Sequence, residues 1–227
     1  MPGVTSTTTP TPLSLTERRK AETRTAIARA AAGLFVRRGL RATRAEDIAQ
    51  AAGIAPRTFY RYFATKEEAV APLYEAGARR WAEAVREAPA GASVPEALEG
   101  AVRHTLTPGA GVSAASWEWM RTLIRLAETE PALRKVWAEV CQESERNLAE
   151  VLAERVTGRQ LTVGLDNVAV AARLRFAAAV ASAAVRTAVE GWAAGDASAE
   201  GVEGPAELAA RNLAALRGFP WGELGDA

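Results

Sequence analysis

The chain has 227 residues, of which 48% are hydrophobic and 24% charged, a balance typical of globular proteins and not of disordered chains. No uncharged apolar run reaches the roughly 18 residues of a membrane-spanning helix. The Thr- and Pro-rich N-terminus lacks the apolar stretch of a secretory signal. One cysteine and one histidine exclude an intramolecular disulfide and argue against a Cys/His zinc site. We therefore expect a cytoplasmic protein without a metal or another cofactor.

Charge is unevenly distributed along the chain, although the net charge is only +1. Residues 1–66 carry 12 basic and 4 acidic side chains, whereas residues 67–227 carry 16 basic and 23 acidic ones. A basic unit joined to an acidic one favours two functional parts, and a compact basic unit points to nucleic acid. Segregation of charge without function is the alternative.

The N-terminal residues predict a tail followed by a helix. Residues 1–13 are rich in Thr and Pro and predict a disordered tail. The helix is expected to begin near Thr16, capped by Ser14 or Thr16, and to end at Gly39. Its buried face is predicted by apolar residues spaced three and four apart, namely Ile27, Ala30, Ala31, Leu34 and Phe35.

Two short helices are predicted next. The first covers 44–52, and Thr43 with Glu46 matches a capping box at its start. Gly53 suits the tight turn that follows. The second covers 56–63 and begins with a proline, which is favourable at the first helical position.

The remainder predicts helices and no strand, so the expected fold class is all-α. A fourth helix is expected to start near Lys66 with Thr65 as its cap, and Pro72 should kink or break it. The predicted helices cover 66–87, 94–106, 113–128, 131–156, 166–194 and 205–217.

Residues 43–66 carry the motif that indicates function. They predict a helix, a glycine turn and a second helix bearing arginine and tyrosine, which is the layout of a helix-turn-helix. Ile48 and Ala49 are expected to pack against Phe59 and Phe63. An ordinary helical hairpin is the alternative, but the concentration of arginine and tyrosine on one short helix favours DNA binding.

The same segment resembles the DNA-binding domain of TetR-family transcriptional regulators over residues 16–66. The matching positions are Phe35, Gly39, Thr43, Asp47, Ile48, Ala49, Ala52, Gly53, Ile54, Thr58, Phe59, Tyr60, Arg61, Tyr62, Phe63 and Lys66. The resemblance implies an N-terminal helix-turn-helix domain over 14–66 and a helical effector-binding and dimerisation domain over 67–220. It also implies a homodimeric repressor that a small ligand releases from a palindromic operator. A regulator without a small-molecule effector and an activator are the alternatives.

The DNA contacts follow from the resemblance, residue by residue. They are Pro56, Arg57, Thr58, Tyr60, Tyr62 and Lys66. Arg44 is added because it begins the second helix, close enough to the DNA backbone to act similarly. Arg57 has the chemistry to read guanine or to bind a phosphate, while Tyr60 and Lys66 are expected at phosphates.

Other positions near this motif are less decisive. Four basic residues of the first helix either reach flanking phosphates or form a solvated face: Arg18, Arg19, Lys20 and Arg24. Ala55 stands where many family members have a Ser or Thr cap, so about 1 kcal/mol of local stability is expected to be missing.

The resemblance also implies a dimer, and two recognition helices would read more base pairs than one. The last two helices, 166–194 and 205–217, are the expected interface. Small residues on the first of them allow close helix contact: Ala177, Ala181, Ala184, Ala188 and Gly191. Burial of this stripe inside one subunit is the alternative.

The expected ligand contacts are Trp117, Met120, Arg121, Ile124, Arg125 and Phe176. Trp117 and Trp119 cannot share one helical face, so at most one is expected to point inward. Arg121 and Arg125 lie four residues apart and either hold an anionic head group or form surface ion pairs. Residues 113–194 loosely resemble a TetR subgroup with an acyl-CoA-like ligand-binding domain, which implies a thioester or fatty-acyl ligand.

An enzyme is the competing class of function. The sequence lacks a phosphate-binding loop, a nucleophile elbow and a cluster of metal ligands. We therefore expect no catalytic activity and no catalytic residue.

Overall fold

The computed structural model describes residues 14–109, 114–158 and 168–224, and these form α-helices without a strand. The helices are α1 (Leu15–Arg38), α2 (Ala45–Ala51), α3 (Pro56–Tyr62), α4 (Ala71–Glu87), α5 (Val94–Leu106), α6 (Ala114–Thr129), α7 (Pro131–Thr157), α8 (Val168–Ala194) and α9 (Pro205–Ala215). The all-α prediction is confirmed. The tail predicted over residues 1–13 lies outside the described residues.

Local signals define both ends of α1. The backbone N–H of Ser14 donates to the Glu17 carboxylate at 2.9 Å, and the Ser14 hydroxyl accepts from the Glu17 N–H at 3.2 Å. This capping box satisfies backbone donors that a helix start leaves unpaired. The helix ends at Gly39, whose φ of 78° favours glycine.

The predicted cap of α2 is wrong by one residue. Arg44 is the N-cap, and its backbone N–H donates to the Asp47 carboxylate at 2.9 Å. Thr43 is instead buried, and its hydroxyl donates to the Gly39 carbonyl at 2.9 Å. The Thr43 side chain therefore ties the end of α1 to the start of α2.

Pro72 separates two helical segments, as the sequence predicts. The Thr65 hydroxyl accepts a hydrogen bond from the Glu68 N–H at 3.2 Å. A single 3₁₀ turn, Glu68–Val70, follows, and α4 starts at Ala71 with the proline in its first turn. A proline costs little there, since that N–H has no intrahelical partner.

Two hydrophobic clusters hold the helices together. The first lies among α4, α5, α7, α8 and α9, with Trp81, Leu98 and Leu174 at its centre. The second joins α1, α2 and α3 to the first turns of α4 and to α6, α7 and the end of α8. The N-terminal helices thus share a continuous core with the rest of the chain, and the boundary at residue 66 stays a prediction.

The small-residue stripe of α8 faces the inside of the subunit. Ala177, Ala181 and Ala188 are buried in the first cluster, Ala184 is half-buried, and only Gly191 is exposed. The expectation that this stripe forms the dimer interface is therefore wrong, because α7 and α9 pack on α8.

The composition of α8 also meets the length and hydropathy requirements of a membrane-spanning helix. An 18-residue window within it has a mean hydropathy of 1.7. In this fold α8 packs against α6, α7 and α9, and a central helix of a helical bundle has the same composition.

Candidate DNA-binding surface and ligand cavity

Burial of one aromatic side chain fixes the orientation of α3. Phe59 is fully buried in the second cluster with Ile48 and Ala49, and its ring centroid lies 5.9 Å from that of Phe63. Ala55 is the N-cap and makes no side-chain capping bond, as its missing oxygen predicts. The opposite side of α3 is therefore turned outward.

The outward side of α3 carries most of the predicted DNA contacts. Pro56, Arg57 and Tyr60 are exposed, and Thr58 and Tyr62 are half-buried. We call these five residues the α3 surface.

The polar groups of the α3 surface make few hydrogen bonds or ion pairs with the other described residues. Arg57 has no ion pair or hydrogen bond within the described part of the chain. The Tyr60 hydroxyl lies 3.4 Å from the Glu46 carboxylate, a long contact that phosphate could replace. Arg44 is exposed at the start of α2, and its DNA contact stays a prediction.

Lys66 makes contacts inside the protein that its sequence position does not reveal. Its ammonium donates to the carbonyls of Leu40 at 2.7 Å and Thr43 at 2.8 Å. It also lies 4.0 Å from the Glu67 carboxylate. These bonds hold the α1–α2 turn against the segment after α3, so Lys66 has a structural task whether or not it also meets a phosphate.

The basic residues of α1 divide into two groups. Arg18, Arg19 and Lys20 are exposed, as a solvated or phosphate-facing surface requires. Arg24 is half-buried, and its guanidinium lies 4.9 Å from the centroid of the Phe63 ring. Arg24 therefore contacts the end of the recognition segment directly.

A cavity of about 440 Å³ lies among α1, α4, α5, α6, α7 and α8. This volume falls in the range of small-molecule sites. Its aromatic lining comes from three helices: Tyr74, Trp81, Trp117, Trp119 and Trp137. Residues from α1 and α8 complete the lining, including Arg24, Ser182 and Val185.

Two of the predicted ligand residues line this cavity, Trp117 and Met120. Trp119 lines it too, so the expectation that at most one of the two tryptophans points inward is wrong. Successive helical residues are about 100° apart. The tryptophans therefore lie on either side of Met120, and the cavity wraps around this part of α6.

The two predicted arginines hold the end of α8 and the segment that follows it instead of lining the cavity. The Arg121 guanidinium donates to the Ala197 carbonyl and lies 4.2 Å from the centroid of the Trp192 ring. Arg125 donates to the carbonyl of Ala193 at 2.5 Å and to the Asp196 carboxylate at 2.8 Å. Carbonyls at a helix end lack intrahelical donors, and arginine supplies them.

The other two predicted ligand residues also lie elsewhere. Ile124 is buried in the second cluster, where it contacts core side chains. Phe176 is 61% exposed, and its ring centroid lies 5.6 Å from that of Phe219. The geometry of the cavity gives no support to a ligand contact from either residue.

Sequence reasoning missed Tyr74, Ser182 and Cys141 as cavity residues, because they come from α4, α8 and α7. The high tryptophan content of the sequence was the available signal for an aromatic cavity, but aromatic residues on helices usually belong to the hydrophobic core.

The Trp137 indole N–H donates to the Glu190 carboxylate at 2.7 Å, and that carboxylate pairs with Arg186 at 3.1 Å. Burial raises the pKa of the Cys141 thiol to about 12, so it stays protonated at neutral pH.

The family model of bacterial regulatory proteins, tetR family, matches residues 27–71, which span the second half of α1, all of α2 and α3, and the 3₁₀ turn. The similarity to the TetR family is therefore shown for residues 27–71. The chain is also similar to the HTH-type transcriptional regulator TcmR of Streptomyces glaucescens, with 32% identity over 149 residues. That alignment covers 65% of this chain and 66% of TcmR, slightly less than two thirds of the relative.

Solved structures of TetR-family proteins share the fold over both parts of the chain. FadR of Thermus thermophilus, a transcriptional repressor in complex with lauroyl-CoA, is 25% identical with a TM-score of 0.52. The similarity covers 85% of this chain and 92% of FadR. AlkX of a Dietzia strain is 20% identical with a TM-score of 0.54, over 88% of this chain and 97% of AlkX.

Proposed function

We propose that this protein is a homodimeric transcriptional regulator of the cytoplasm, most simply a repressor, that binds a palindromic operator through α3. The observation that carries the proposal is the α3 surface, where Arg57 is exposed and has no ion pair or hydrogen bond to the described residues, on a helix anchored by the buried Phe59. Such a helix fits the major groove with its polar side outward. The TetR-family match over the same residues supports this assignment.

A small-molecule effector fits the cavity. A regulator without an effector would need no internal space of this kind, whereas about 440 Å³ lined by aromatic residues suits a ligand. An acyl-CoA, the class that the sequence resemblance implies, is supported by the lauroyl-CoA in FadR. The arginines predicted to hold its anionic part are bonded elsewhere, which leaves that class without a contact from Arg121 or Arg125.

The cavity adjoins the DNA-binding helices, so a ligand bound there is placed to release the protein from its operator. Arg24, Thr25 and Arg29 of α1 contribute to its lining, and Arg24 also contacts Phe63 next to α3. A ligand that prefers one position of α1 would shift the spacing of the two recognition helices. It shifts the equilibrium only by its difference in affinity for the two positions.

The outer face of α8 is the surface that we assign to the dimer. Val168, Ala172, Phe176, Thr187 and Gly191 are exposed on this face. Spacings of four residues place the first three on one side of the helix. These three lie about 100° to 180° around the helix from Ala177 of the buried stripe, and apolar residues left in water favour association.

Selection of binding sites from random double-stranded DNA tests the proposed function. We expect the purified protein to enrich one inverted repeat and to protect two half-sites about one helical turn apart. Affinity should fall steeply with salt, because phosphate contacts release counterions. Failure to enrich any sequence over random DNA would show that the chain is not an operator-binding regulator.

A further inference from the structure

The first turns of α1 form a helical extension without a buried side chain. The capping box at Ser14 defines the start of the helix, yet the first buried residue of α1 is Ile27. The intervening residues 15–26 span about 18 Å at the rise of an α-helix. They also lie outside residues 27–71, which match the family model. Since helices in proteins are stabilised mainly by packing of an apolar face, a capped extension without one is a candidate for a binding function.

One face of this extension meets the end of α3 and forms a groove with it. The α1 side of the groove carries residues at helical spacings of three, four and seven, so they share one face. Arg24 lies one turn beyond them, and its guanidinium is 4.9 Å from the centroid of the Phe63 ring, which joins the two sides of the groove at one end. The groove is lined by Thr16, Arg19, Lys20, Thr23, Arg61 and Tyr62.

The groove carries three cations and no acidic residue from the described part of the chain. Arg19, Lys20 and Arg61 are exposed, and none of them forms a hydrogen bond or an ion pair with the described residues. The Glu17 carboxylate on the same helix is held by Ser14, whose hydrogen bonds lower its pKa, and the charge of Lys20 lowers it further. The three cations are therefore available to an anion.

Hydroxyl groups accompany these cations. Thr16, Thr23 and Tyr62 line the groove, and the Thr23 hydroxyl donates to the Arg19 carbonyl at 2.9 Å. Arginine, lysine, threonine and tyrosine are among the side chains that contact phosphates in protein–DNA complexes. Tyr62 also belongs to the α3 surface, so the groove adjoins the helix proposed to enter the major groove. This continuity favours DNA as the source of the phosphates.

We infer that this groove binds backbone phosphates of the DNA beside the major groove that α3 enters, with Arg19, Lys20 and Arg61 each neutralising one phosphate. This inference rests on the proposed function, because it extends the same DNA contact to residues that the family match does not cover. It also separates the basic residues of α1. Arg18 is exposed but does not line the groove, so it belongs to the solvated face.

The salt dependence of DNA binding tests these phosphate contacts. Arg19→Gln, Lys20→Gln and Arg61→Gln each remove one charge from an exposed position. Each should make the slope of log affinity against log salt concentration less steep by about 0.9, and the triple variant by about 2.7, because each phosphate contact releases counterions. Fluorescence anisotropy with the full chain and a duplex of random sequence measures the slope. Affinity for the operator and for random DNA should fall by the same factor.

Arg18→Gln is the matched control, since it removes the same charge from the neighbouring position on α1. It should leave the slope unchanged, because its side chain lies outside the groove. Urea unfolding verifies that all the variants are folded. If Arg18→Gln changed the slope as much as Arg19→Gln, net charge alone would account for the effect and the groove would not be a phosphate site.

Neutral methylphosphonates in place of single phosphates of the selected operator give a second test. Some of these replacements should weaken binding of the unsubstituted protein. The triple variant should be insensitive to the replacements at the phosphates that the groove contacts, because their partners have been removed. If the two proteins responded alike to every replacement, the inferred contacts would be refuted.

The outcomes separate this inference from the proposed function. A triple variant that selects the operator with an unchanged salt slope would overturn the groove and leave the regulator intact. Conversely, the expected change of slope on random DNA, together with an unsubstituted protein that enriches no sequence, would refute the regulator and leave the groove as a DNA contact. If the triple variant lost binding to phosphatidylglycerol vesicles but kept its slope on DNA, the groove would be a lipid-binding surface instead.

Discussion

At the scale of single residues, Arg57 and Lys66 show that neighbouring basic side chains have different tasks. Arg57 is exposed and has no ion pair or hydrogen bond in the part of the chain that the structure describes, whereas the Lys66 ammonium is bonded to two backbone carbonyls. Lys66 is one of the positions that match the family pattern, and the resemblance assigns both residues to DNA. Substituting each residue and measuring DNA affinity and stability distinguishes a side chain that reads DNA from one that stabilises the fold.

Arg57→Ala should weaken binding to the selected operator by about 1–3 kcal/mol if Arg57 reads a base. Stability should not change, because the side chain has no partner to lose within the described residues. Titrations with operator and random DNA measure the effect, and Arg146→Ala on the exposed side of α7 is the control. An equal loss on both DNAs would contradict base reading.

Lys66→Met should destabilise the protein by about 1–3 kcal/mol, since the Leu40 and Thr43 carbonyls lose their donor. Urea unfolding measures this loss. Lys135→Met removes an exposed lysine 3.8 Å from Glu139 and should cost much less. If Lys66→Met were as stable as the unsubstituted protein but bound all DNA more weakly, Lys66 would be a phosphate contact instead.

At the scale of elements, local capping bonds define the helix starts and also give them a pH dependence. At the start of α5 the Ser93 hydroxyl donates to the Glu96 carboxylate at 2.7 Å, and the Ser93 N–H donates at 2.8 Å. These bonds lower the pKa of Glu96. Their stabilisation is therefore present above the ordinary pKa of glutamate and is lost as the pH falls through the lowered value.

Ser93→Ala should lower Tm at pH 7 by about 2–4 °C, the shift expected for a lost N-cap in a chain of this size. The difference from the unsubstituted protein should shrink in acid, as Glu96 takes up a proton around its lowered pKa. Thermal unfolding over a series of decreasing pH values measures it. Gln142→Ala, at an exposed position of α7, is the control and should show no such pH dependence. A difference that stayed constant with pH would contradict the capping bond.

At the scale of the whole molecule, the packing of α8 decides which surface is left for a partner. Its small residues are buried beneath α7 and α9, so the outer face with Phe176 remains. The same packing borders the cavity next to α1, so the proposed ligand site and the proposed DNA-binding surface lie beside one connected core.

Phe176→Glu should convert the proposed dimer to a monomer at micromolar concentration, since it would bury two charges in an apolar interface. Sedimentation velocity measures the change. Leu15→Glu alters another exposed apolar residue, on α1, and should leave the dimer intact. A Phe176→Glu variant that remained dimeric would place the interface elsewhere.

The sequence by itself determined the helices and the motif. Their ends agree with the predictions to within a few residues, because caps, prolines and apolar spacing act over one or two turns. The helix-turn-helix was predictable for the same reason. Ile48, Phe59 and Gly53 lie within 12 residues of one another, and their spacing alone predicts a tight turn between two packed helices.

Only the tertiary structure decided which side chains line the cavity and which face of α8 is outside. Tyr74 and Ser182 are 108 positions apart in the sequence, and no local pattern relates them. Arg121 and Arg125 share a helical face with the spacing of a binding pair, yet they bond to carbonyls at the end of α8 and just after it. Amphipathic periodicity predicts that a face is buried, but the partner that buries it depends on how all the helices pack.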